Sequence, residues 1–481
     1  MAVESAVGIP APSPALAMPP QARARLRSTL AAAVHHSRRG GERLASVSWR
    51  VWGRVDPSAV VFASRRAGEP WFCLEQPERD GSALAGLGAA ITIEERGPSR
   101  FQRAAARWRT LAANACAEPP PGPPGAGLIA AGGFAFADDG ASALQWSAFP
   151  AASLVVPEVA IARSGDELWC TVTALARPGD SADRLERLIE ERLAALVERP
   201  LPLLDPHPAQ RALIGGALAP EHYEDAVARA VELIATGRLE KIVLAREVEV
   251  RAPREHDVAA VFDVLRGAFG GCYLYAIGRG EATFLGASPE LLIRVDGLRA
   301  STLALAGSTG RSADAGLDEH LGERLLHSQK ERHEHAVVAE HIERALRRRA
   351  LWVTRPSEPE VIRIANIQHL ATPVRAQLAE PIGAIELAGV LHPTPAVGAE
   401  PNSALALIPA LEGIDRGWYA GATGWCDANG DGEFSVALRC ALVEGRLARC
   451  YAGVGVVAGS DPAAELAETE VKLAALLPVL S

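Results

Sequence analysis

The sequence predicts an α+β protein built on antiparallel sheets, and three observations support this prediction. Strand-like apolar segments follow one another in hairpin-like runs, with turn residues between them. Long helical segments are inserted between these runs, so strands and helices do not alternate one by one as a parallel sheet requires. The 481 residues are 48% hydrophobic and 22% charged, which is the balance of an ordinary globular protein.

The chain is predicted to have three parts. Residues 1–25 contain several prolines and lack the basic segment of a secretory signal, so they are expected to be a disordered tail. Residues 26–215 are expected to form a variable N-terminal part of the same compact unit as residues 216–478. Helical segments at 99–116 and 181–198 lie on either side of a strand that begins at 128, and the proline-rich loop at 117–127 is expected on the surface.

Residues 216–478 carry the denser pattern. A helix is predicted to begin at Pro220 and to stop at Gly237, and a strand at 241–250 follows it. Four shorter strands are predicted between 272 and 305, and one helix over roughly 317–350. Residues 433–457 are predicted to form a strand, a Glu-Gly turn and a second strand, and residues 461–480 a terminal helix.

Charge and hydropathy argue against several classes of protein. The net charge is −9 and the isoelectric point is about 5.8, whereas a general nucleic-acid binder needs a basic surface. No apolar run approaches the ~18–20 residues of a membrane-spanning helix. The seven cysteines form no CxxC pair, which indicates reduced, mostly buried thiols and a cytoplasmic location.

Two motifs resemble binding sites but are better explained otherwise. The segment DANGDG at 427–432 matches the start of an EF-hand loop, but the twelfth position, where a bidentate glutamate is needed, is Leu438. A hairpin turn between two apolar runs is the better interpretation. The segment GVGVVAG at 453–459 loosely matches a dinucleotide fingerprint, but no βαβ unit follows it.

The segment KERHEHAVVAEH at 330–341 reads as a helix with three histidines and three glutamates. No two of the histidines are three or four residues apart, so they do not share a helix face and do not form an HExxH zinc motif. Glu331 and Glu334 do share a face. Paired carboxylates suit a hard cation such as Mg²⁺, although a solvated charged face is the simpler explanation of this segment alone.

Other polar residues stand where apolar ones are expected. Lys241 opens an apolar strand, Glu290 separates two apolar segments, and Arg439 interrupts a third. Glu465, Glu468 and Lys472 share one helix face. Taken singly, these residues suit a solvated strand end, a turn and a salt-bridge ladder. Together they supply a base, an acid, carboxylates for a cation and cationic groups for an anionic substrate.

Nine segments, in order, resemble the motif series of the chorismate-utilising enzymes, and among them most closely the isochorismate synthases. The series covers residues 240 to 475 and consists of KIVLAR, FLGASPELLIR, LALAGSTGR, KERHEHAVV, IQHLATPV, LHPTPAVGAEP, DRGWYAGATGW, FSVALRCALV and YAGVGVVAGSDPAAELAETEVKL. The resemblance implies the fold of anthranilate synthase component I, with two large antiparallel sheets packed as a sandwich and helices outside.

The resemblance also implies roles for individual residues. Lys241 matches the base that activates water, and Glu290 matches the acid that protonates the departing C4 hydroxyl of chorismate. Glu334 and Glu468 match Mg²⁺ ligands, with Glu331 and Glu465 nearby through water. The substrate-binding positions implied in this way are Gly307, His369, Ala396, Tyr419, Arg439, Gly453, Gly455 and Lys472.

Position 241 implies that this chain uses water, because ammonia-using relatives such as anthranilate and aminodeoxychorismate synthases lack this lysine. Ala306 stands where aminodeoxychorismate synthases carry a lysine, and Ala399 departs from a glycine found in many members. The resemblance therefore implies a Mg²⁺-dependent isochorismate synthase for menaquinone or catechol siderophore biosynthesis. The expected enzyme is a monomer or weak dimer that acts without nucleic acid, membrane or glutamine amidotransferase subunit. The alternatives are a salicylate synthase, which also eliminates pyruvate, and a silent chorismate-binding scaffold.

Overall fold

The computed structural model describes residues 14–205, 208, 210–364 and 367–481, and its strands form two large sheets. The strands are β1 (Arg43–Arg50), β2 (Gly68–Gln76), β3 (Ser82–Leu87), β4 (Ile91–Glu95), β5 (Cys116–Ala117), β6 (Ile129–Phe134), β7 (Ala152–Val156), β8 (Val159–Ser164), β9 (Glu167–Ala176), β10 (Leu213–Gly216), β11 (Lys241–Arg251), β12 (Tyr273–Gly280), β13 (Ala282–Ser288), β14 (Leu291–Asp296), β15 (Arg299–Gly310), β16 (Ala350–Thr354), β17 (Glu360–Ile364), β18 (Ile367–Leu378), β19 (Ala399–Glu400), β20 (Ala422–Asp427), β21 (Gly432–Val436), β22 (Cys440–Glu444) and β23 (Leu447–Val456).

The larger sheet has 13 strands, in the order β10-β11-β23-β22-β13-β12-β2-β3-β8-β9-β1-β5, with β19 beside β11. The smaller has 10, in the order β16-β18-β15-β14-β21-β20-β6-β7-β4, with β17 beside β18. Among the described strands every pairing is antiparallel except that of β1 with β5. Both sheets combine strands from the two halves of the chain, since β12 pairs with β2 and β20 pairs with β6.

The α-helices lie between and beside these strands in the sequence. They are α1 (Pro20–Gly40), α2 (Pro57–Ser64), α3 (Arg100–Ala113), α4 (Ala182–Ala194), α5 (Pro220–Ala235), α6 (Val258–Ala268), α7 (Ala315–His327), α8 (Gln329–Arg347), α9 (Ala384–Leu391), α10 (Ile408–Glu412), α11 (Pro462–Leu473) and α12 (Leu477–Leu480). Short 3₁₀ turns occupy Pro14–Leu16, Leu144–Trp146 and Asn402–Leu407.

The alternation of side chains along a strand places the two sheets face to face. On β12, Tyr275 and Ile277 join one core cluster together with Phe434 of the smaller sheet. Leu274 and Ala276 point the other way, into a second core that the larger sheet shares with helices such as α1 and α6. Successive residues of a strand face opposite sides, so one sheet serves both cores. The predicted α+β class and its two antiparallel sheets are confirmed.

Four local predictions are wrong. The tail predicted for residues 1–25 is partly ordered, because Leu16 and Ala22 pack into the core beneath the larger sheet; residues 1–13 lie outside the described part of the chain. The helix predicted over 317–350 is two helices, since Ser328 accepts a hydrogen bond from the backbone N–H of Glu331 and caps a new one. Residues 433–457 form three strands, because the backbone turns at Arg439. The predicted terminal helix ends at Leu473, and α12 follows as a separate turn.

The segment at 427–432 forms the hairpin turn between β20 and β21, as predicted. The Asp427 carboxylate accepts hydrogen bonds from the backbone N–H groups of Asn429 and Asp431, so it closes the turn.

Candidate active site

Most of the predicted site residues line one cavity of about 680 Å³, measured with its open mouth. The cavity lies between β11, β15, β18, β23, α8 and α11. The predicted residues that line it are Glu290, Gly307, Glu334, His369, Ala396, Tyr419, Arg439, Gly453, Gly455, Glu468 and Lys472. Lys241, Glu331 and Glu465 are not part of this lining but contact or adjoin residues that are.

The Nζ atom of Lys241 lies 2.9 Å from Oε1 of Glu334, and the lysine side chain is completely buried. Lys241 is the first residue of β11, where it pairs with Glu400 of β19. A side chain at position 455 would displace this ion pair. A Cβ atom there would lie 2.9 Å from Cε of Lys241 and would overlap the Glu334 carboxylate.

Glu290 is the buried acid of the cavity, with 3% of its surface exposed. Burial raises the pKa of Glu290 to about 8, although the positive charge of Lys241 acts in the opposite direction. Its backbone is fixed on both sides, because its N–H donates to Ser288 Oγ and its carbonyl accepts from Val436. Because this pKa of about 8 lies above neutral pH, the carboxyl group of Glu290 keeps its proton there.

A cationic wall faces into the same cavity. Arg439 lies between β21 and β22 and has a φ of 48°, a left-handed conformation that is uncommon for a residue other than glycine. Its Nη2 donates to Nε2 of His369 at 3.1 Å. Lys472 donates from Nζ to the Gly453 carbonyl at 2.9 Å. The two cations suit an anionic ligand.

The contact with Arg439 defines the tautomer of His369. A guanidinium only donates hydrogen bonds, so Nε2 of His369 must accept and its hydrogen must lie on Nδ1. Nδ1 in turn lies 3.3 Å from the Gly307 carbonyl, which accepts. Burial, followed by the charges of Arg439 and Lys472, holds the pKa of His369 well below its ordinary value. His369 is therefore a neutral residue that orients Arg439.

Four glutamates, here called the glutamate cluster, lie in the lining of the cavity or next to it. They are Glu331 and Glu334 of α8 and Glu465 and Glu468 of α11. Burial and the neighbouring Glu334 raise the pKa of Glu331 to about 7. Burial acts to raise the pKa of Glu468 as well, but Lys472 and the Ser308 hydroxyl lower it overall. Such crowding of carboxylates favours a bound cation.

The donors of the glutamate cluster fit a hard cation better than a soft one. All are oxygens, and Mg²⁺ is usually held by one or two protein carboxylates and several waters. In the described part of the chain no three metal-binding side chains converge on a single point. A Mg²⁺ ion at the glutamate cluster would therefore take most of its ligands from water.

The three histidines of the KERHEHAVVAEH segment have other partners. His333 lies 3.4 Å from Glu240, and His341 lies 3.0 Å from Glu400. His335 is buried and bonds the Thr372 hydroxyl at 2.7 Å. These contacts attach α8 to β18 and to the chain around β11 and β19.

Aromatic side chains and small side chains form the walls of the cavity. Tyr419 stacks on Tyr451, with ring centroids 5.3 Å apart. Ala306 and Ala396 line the cavity. Ala399 is fully buried and pairs with Ile242, and it is not part of the lining, so its departure from glycine lies behind the cavity wall.

Sequence reasoning missed several residues that shape the site. Ser308 donates to Glu468 at 2.6 Å, and Tyr451 forms part of the wall. Arg416 donates to the carbonyls of Val243 and Val397, two cavity-lining residues, and forms a buried ion pair with Glu412. Apart from the Glu412–Arg416 pair, which is four residues apart, the spacing of these residues carries no signal, because their partners are distant in sequence.

Residues 28–481 match the family described as chorismate binding enzyme. The chain belongs to this family, and it is an enzyme. It is 39% identical over 430 residues to the salicylate biosynthesis isochorismate synthase of Pseudomonas aeruginosa. The aligned region covers 89% of this chain and 88% of the relative.

Solved structures agree with this assignment. The menaquinone-specific isochorismate synthase MenF of Escherichia coli superposes with a TM-score of 0.76 at 25% identity, covering 95% of this chain and 100% of that one. Anthranilate synthase component I of Streptococcus pneumoniae shares the fold, with a TM-score of 0.58 at 23% identity over 72% of this chain and 80% of that one. No helix in the described residues is long and apolar enough to cross a bilayer.

Proposed function

We propose that this chain is a Mg²⁺-dependent isochorismate synthase, an isomerase that adds water at C2 of chorismate while the C4 hydroxyl departs. The observation that carries the proposal is the presence of a buried lysine and a buried glutamic acid at one cavity with a cationic wall. A base and an acid each accelerate such a substitution by typically 10²–10⁴-fold. The similarity to two proteins named isochorismate synthases supports the same reaction.

Each residue receives one role in this proposal. Lys241, once its amine is uncharged, removes a proton from the attacking water. Glu290 gives its proton to the departing C4 hydroxyl, which requires the protonated state that burial favours. Arg439, oriented by the neutral His369, and Lys472 bind the carboxylates of chorismate. Tyr419 and Ala396 shape the wall against the ring.

The glutamate cluster is proposed to hold Mg²⁺, through Glu334 and Glu468 directly and through Glu331 and Glu465 by way of water. When bound, the ion neutralises a substrate carboxylate and draws electron density toward it. The all-oxygen donor set and the raised pKa of Glu331 support this assignment.

Product analysis tests the proposed reaction. Purified protein is incubated with chorismate and Mg²⁺, and chorismate, isochorismate, salicylate and pyruvate are measured by chromatography. We expect isochorismate without pyruvate, and no aminated product when ammonia is supplied. Equal amounts of salicylate and pyruvate would identify a salicylate synthase instead, and unchanged chorismate would leave only a binding protein.

The cellular setting proposed here follows from the thiols and the relatives. All seven cysteines are free, and most are buried, as expected of a protein in the reducing cytoplasm. The relatives are named for salicylate and menaquinone routes. We propose that isochorismate leaves this enzyme and is consumed by a separate one in such a route, with no amidotransferase subunit.

A further inference from the structure

An ammonium–carboxylate contact joins the two helices that carry the glutamate cluster. Lys330, in the first turn of α8, donates from Nζ to Oε1 of Glu465 in α11 at 2.8 Å. Glu465 is almost completely buried, whereas 36% of the Lys330 side chain is exposed. Neither residue is part of the cavity lining, and the proposed reaction gives Lys330 no role.

Lysine is rare in this protein. Of the 49 basic residues only three are lysines, at positions 241, 330 and 472, and all the others are arginines. Each lysine contacts a different member of the glutamate cluster: Lys241 contacts Glu334, Lys330 contacts Glu465, and Lys472 contacts Glu468. Elsewhere the chain uses arginine for exposed and buried cations alike, so composition does not explain a lysine at 330.

The two side chains differ in how firmly they hold a carboxylate. A guanidinium binds through a rigid fork that makes two parallel hydrogen bonds, whereas an ammonium is a compact point charge on a flexible stem. Lys330 touches a single oxygen of Glu465, and it is exposed enough for its ammonium to move into water. Its contact can therefore break without burying an unpaired cation.

We infer that Lys330 is a displaceable cation that holds Glu465 until a divalent ion takes its place, and so sets the affinity of the glutamate cluster for that ion. The inference rests on the Mg²⁺ site of the proposed function. An ammonium and a divalent ion that share one group of carboxylates repel each other, so Lys330 weakens binding of the ion. In the metal-free enzyme, the contact between Lys330 and Glu465 links α8 to α11.

Direct cation binding tests this inference. Mn²⁺ is titrated into the full-length protein at low ionic strength without substrate, and free Mn²⁺ is measured by electron paramagnetic resonance, with Mg²⁺ as competitor. Lys330→Gln should bind about tenfold more tightly than the wild type, and the gain should shrink with added salt. Lys330→Arg keeps the charge and adds the fork, so it should bind no more tightly than the wild type.

Arg332→Gln is the matched control. Arg332 lies on the same turn of α8, but it contacts Glu358 and the Leu326 carbonyl instead of the cluster. The Arg332→Gln substitution removes the same charge from the same helix, and it should leave the affinity for Mn²⁺ within about twofold of the wild type. If both glutamine variants gain Mn²⁺ affinity by a similar factor, the gain comes from the change in net charge and the inference is wrong.

A second measurement follows the contact itself. Because the chain has three lysines, protein labelled with ¹³C at lysine Cε gives three signals, and the Lys330 signal is the one absent from Lys330→Gln. That signal should shift when Mg²⁺ is added. If the wild type binds Mn²⁺ and Lys330→Gln binds it with the same affinity, the inference is refuted but the proposed metal site is not. No binding by either protein refutes the inference and the proposed metal site together.

Discussion

The ion pair between Lys241 and Glu334, 2.9 Å from Nζ to Oε1, joins the start of β11 to α8 across the edge of the cavity. The lysine is the proposed base, and the glutamate is a proposed Mg²⁺ ligand. Gly455 lies beside both, on the neighbouring strand β23. Base and metal ligand are thus held as one unit, so a change at any of the three positions should disturb both functions.

Lys241→Ala and Glu290→Gln should each lower kcat by about 10²–10⁴-fold, because each removes one proton-transfer group. The loss in kcat/KM should be the same for chorismate and for isochorismate as substrate, since a catalyst cannot shift an equilibrium and the ratio of the two kcat/KM values is that equilibrium constant. Initial rates in both directions test this. Arg251→Ala, at the exposed far end of β11, is the control and should keep normal rates. Near-normal turnover in either variant would remove the role assigned to that residue.

Glu290→Gln should be more stable than the wild type at neutral and alkaline pH. The folded-state pKa of about 8 exceeds the ordinary 4.5, so the stability that the protonated carboxyl provides is complete below about pH 4.5 and is lost as the pH rises toward 8. The loss amounts to about 1.4 kcal/mol per pH unit in that window. Glutamine does not ionise, so the difference in unfolding free energy between variant and wild type should grow from pH 5 to pH 8. A constant difference would mean that Glu290 is not protonated in the native state.

Removal of the divalent ion should abolish turnover, and Mg²⁺ should restore it, because the proposed role of the ion is to neutralise a substrate carboxylate. Glu334→Gln and Glu468→Gln should need far more Mg²⁺ for half-maximal rate. Glu470→Gln, an exposed neighbour on α11 that pairs with Arg246, should respond like the wild type. Full activity in the presence of EDTA would contradict the proposed metal site.

Gly455→Ala should reduce activity by about 10²-fold or more, because the added methyl group displaces the Lys241–Glu334 pair. Overpacking of this kind typically costs about 1–3 kcal/mol of stability, so the protein should still fold. Gly215→Ala, on edge strand β10, meets no atom within 4 Å and is the matched control. Rates and thermal unfolding are measured for both. An active Gly455→Ala enzyme would show that the ion pair tolerates displacement.

Local pattern was a good guide to the individual elements. Helices α3, α4 and α5 and strands β11 to β15 all fall where apolar periodicity and Pro or Gly boundaries predict them. The pattern failed where a single polar residue interrupts it. Ser328 begins a new helix inside a continuous helical composition, and Arg439 bends what reads as one strand. Both depend on hydrogen bonds or backbone angles that composition does not report.

The sequence by itself determined the class of fold, many of its strands and helices, and the chemical groups available to the site, since these follow from short-range periodicity and residue type. The tertiary structure alone decided which of those groups meet. Glu290 keeps its proton because of burial, His369 keeps one tautomer because Arg439 lies opposite it, and Lys330 contacts Glu465 because the fold brings the first turn of α8 to α11. The physical reason is distance. Spacing along a chain reports neighbours within a turn or a strand pair, whereas charge state and pairing depend on residues that only folding brings together.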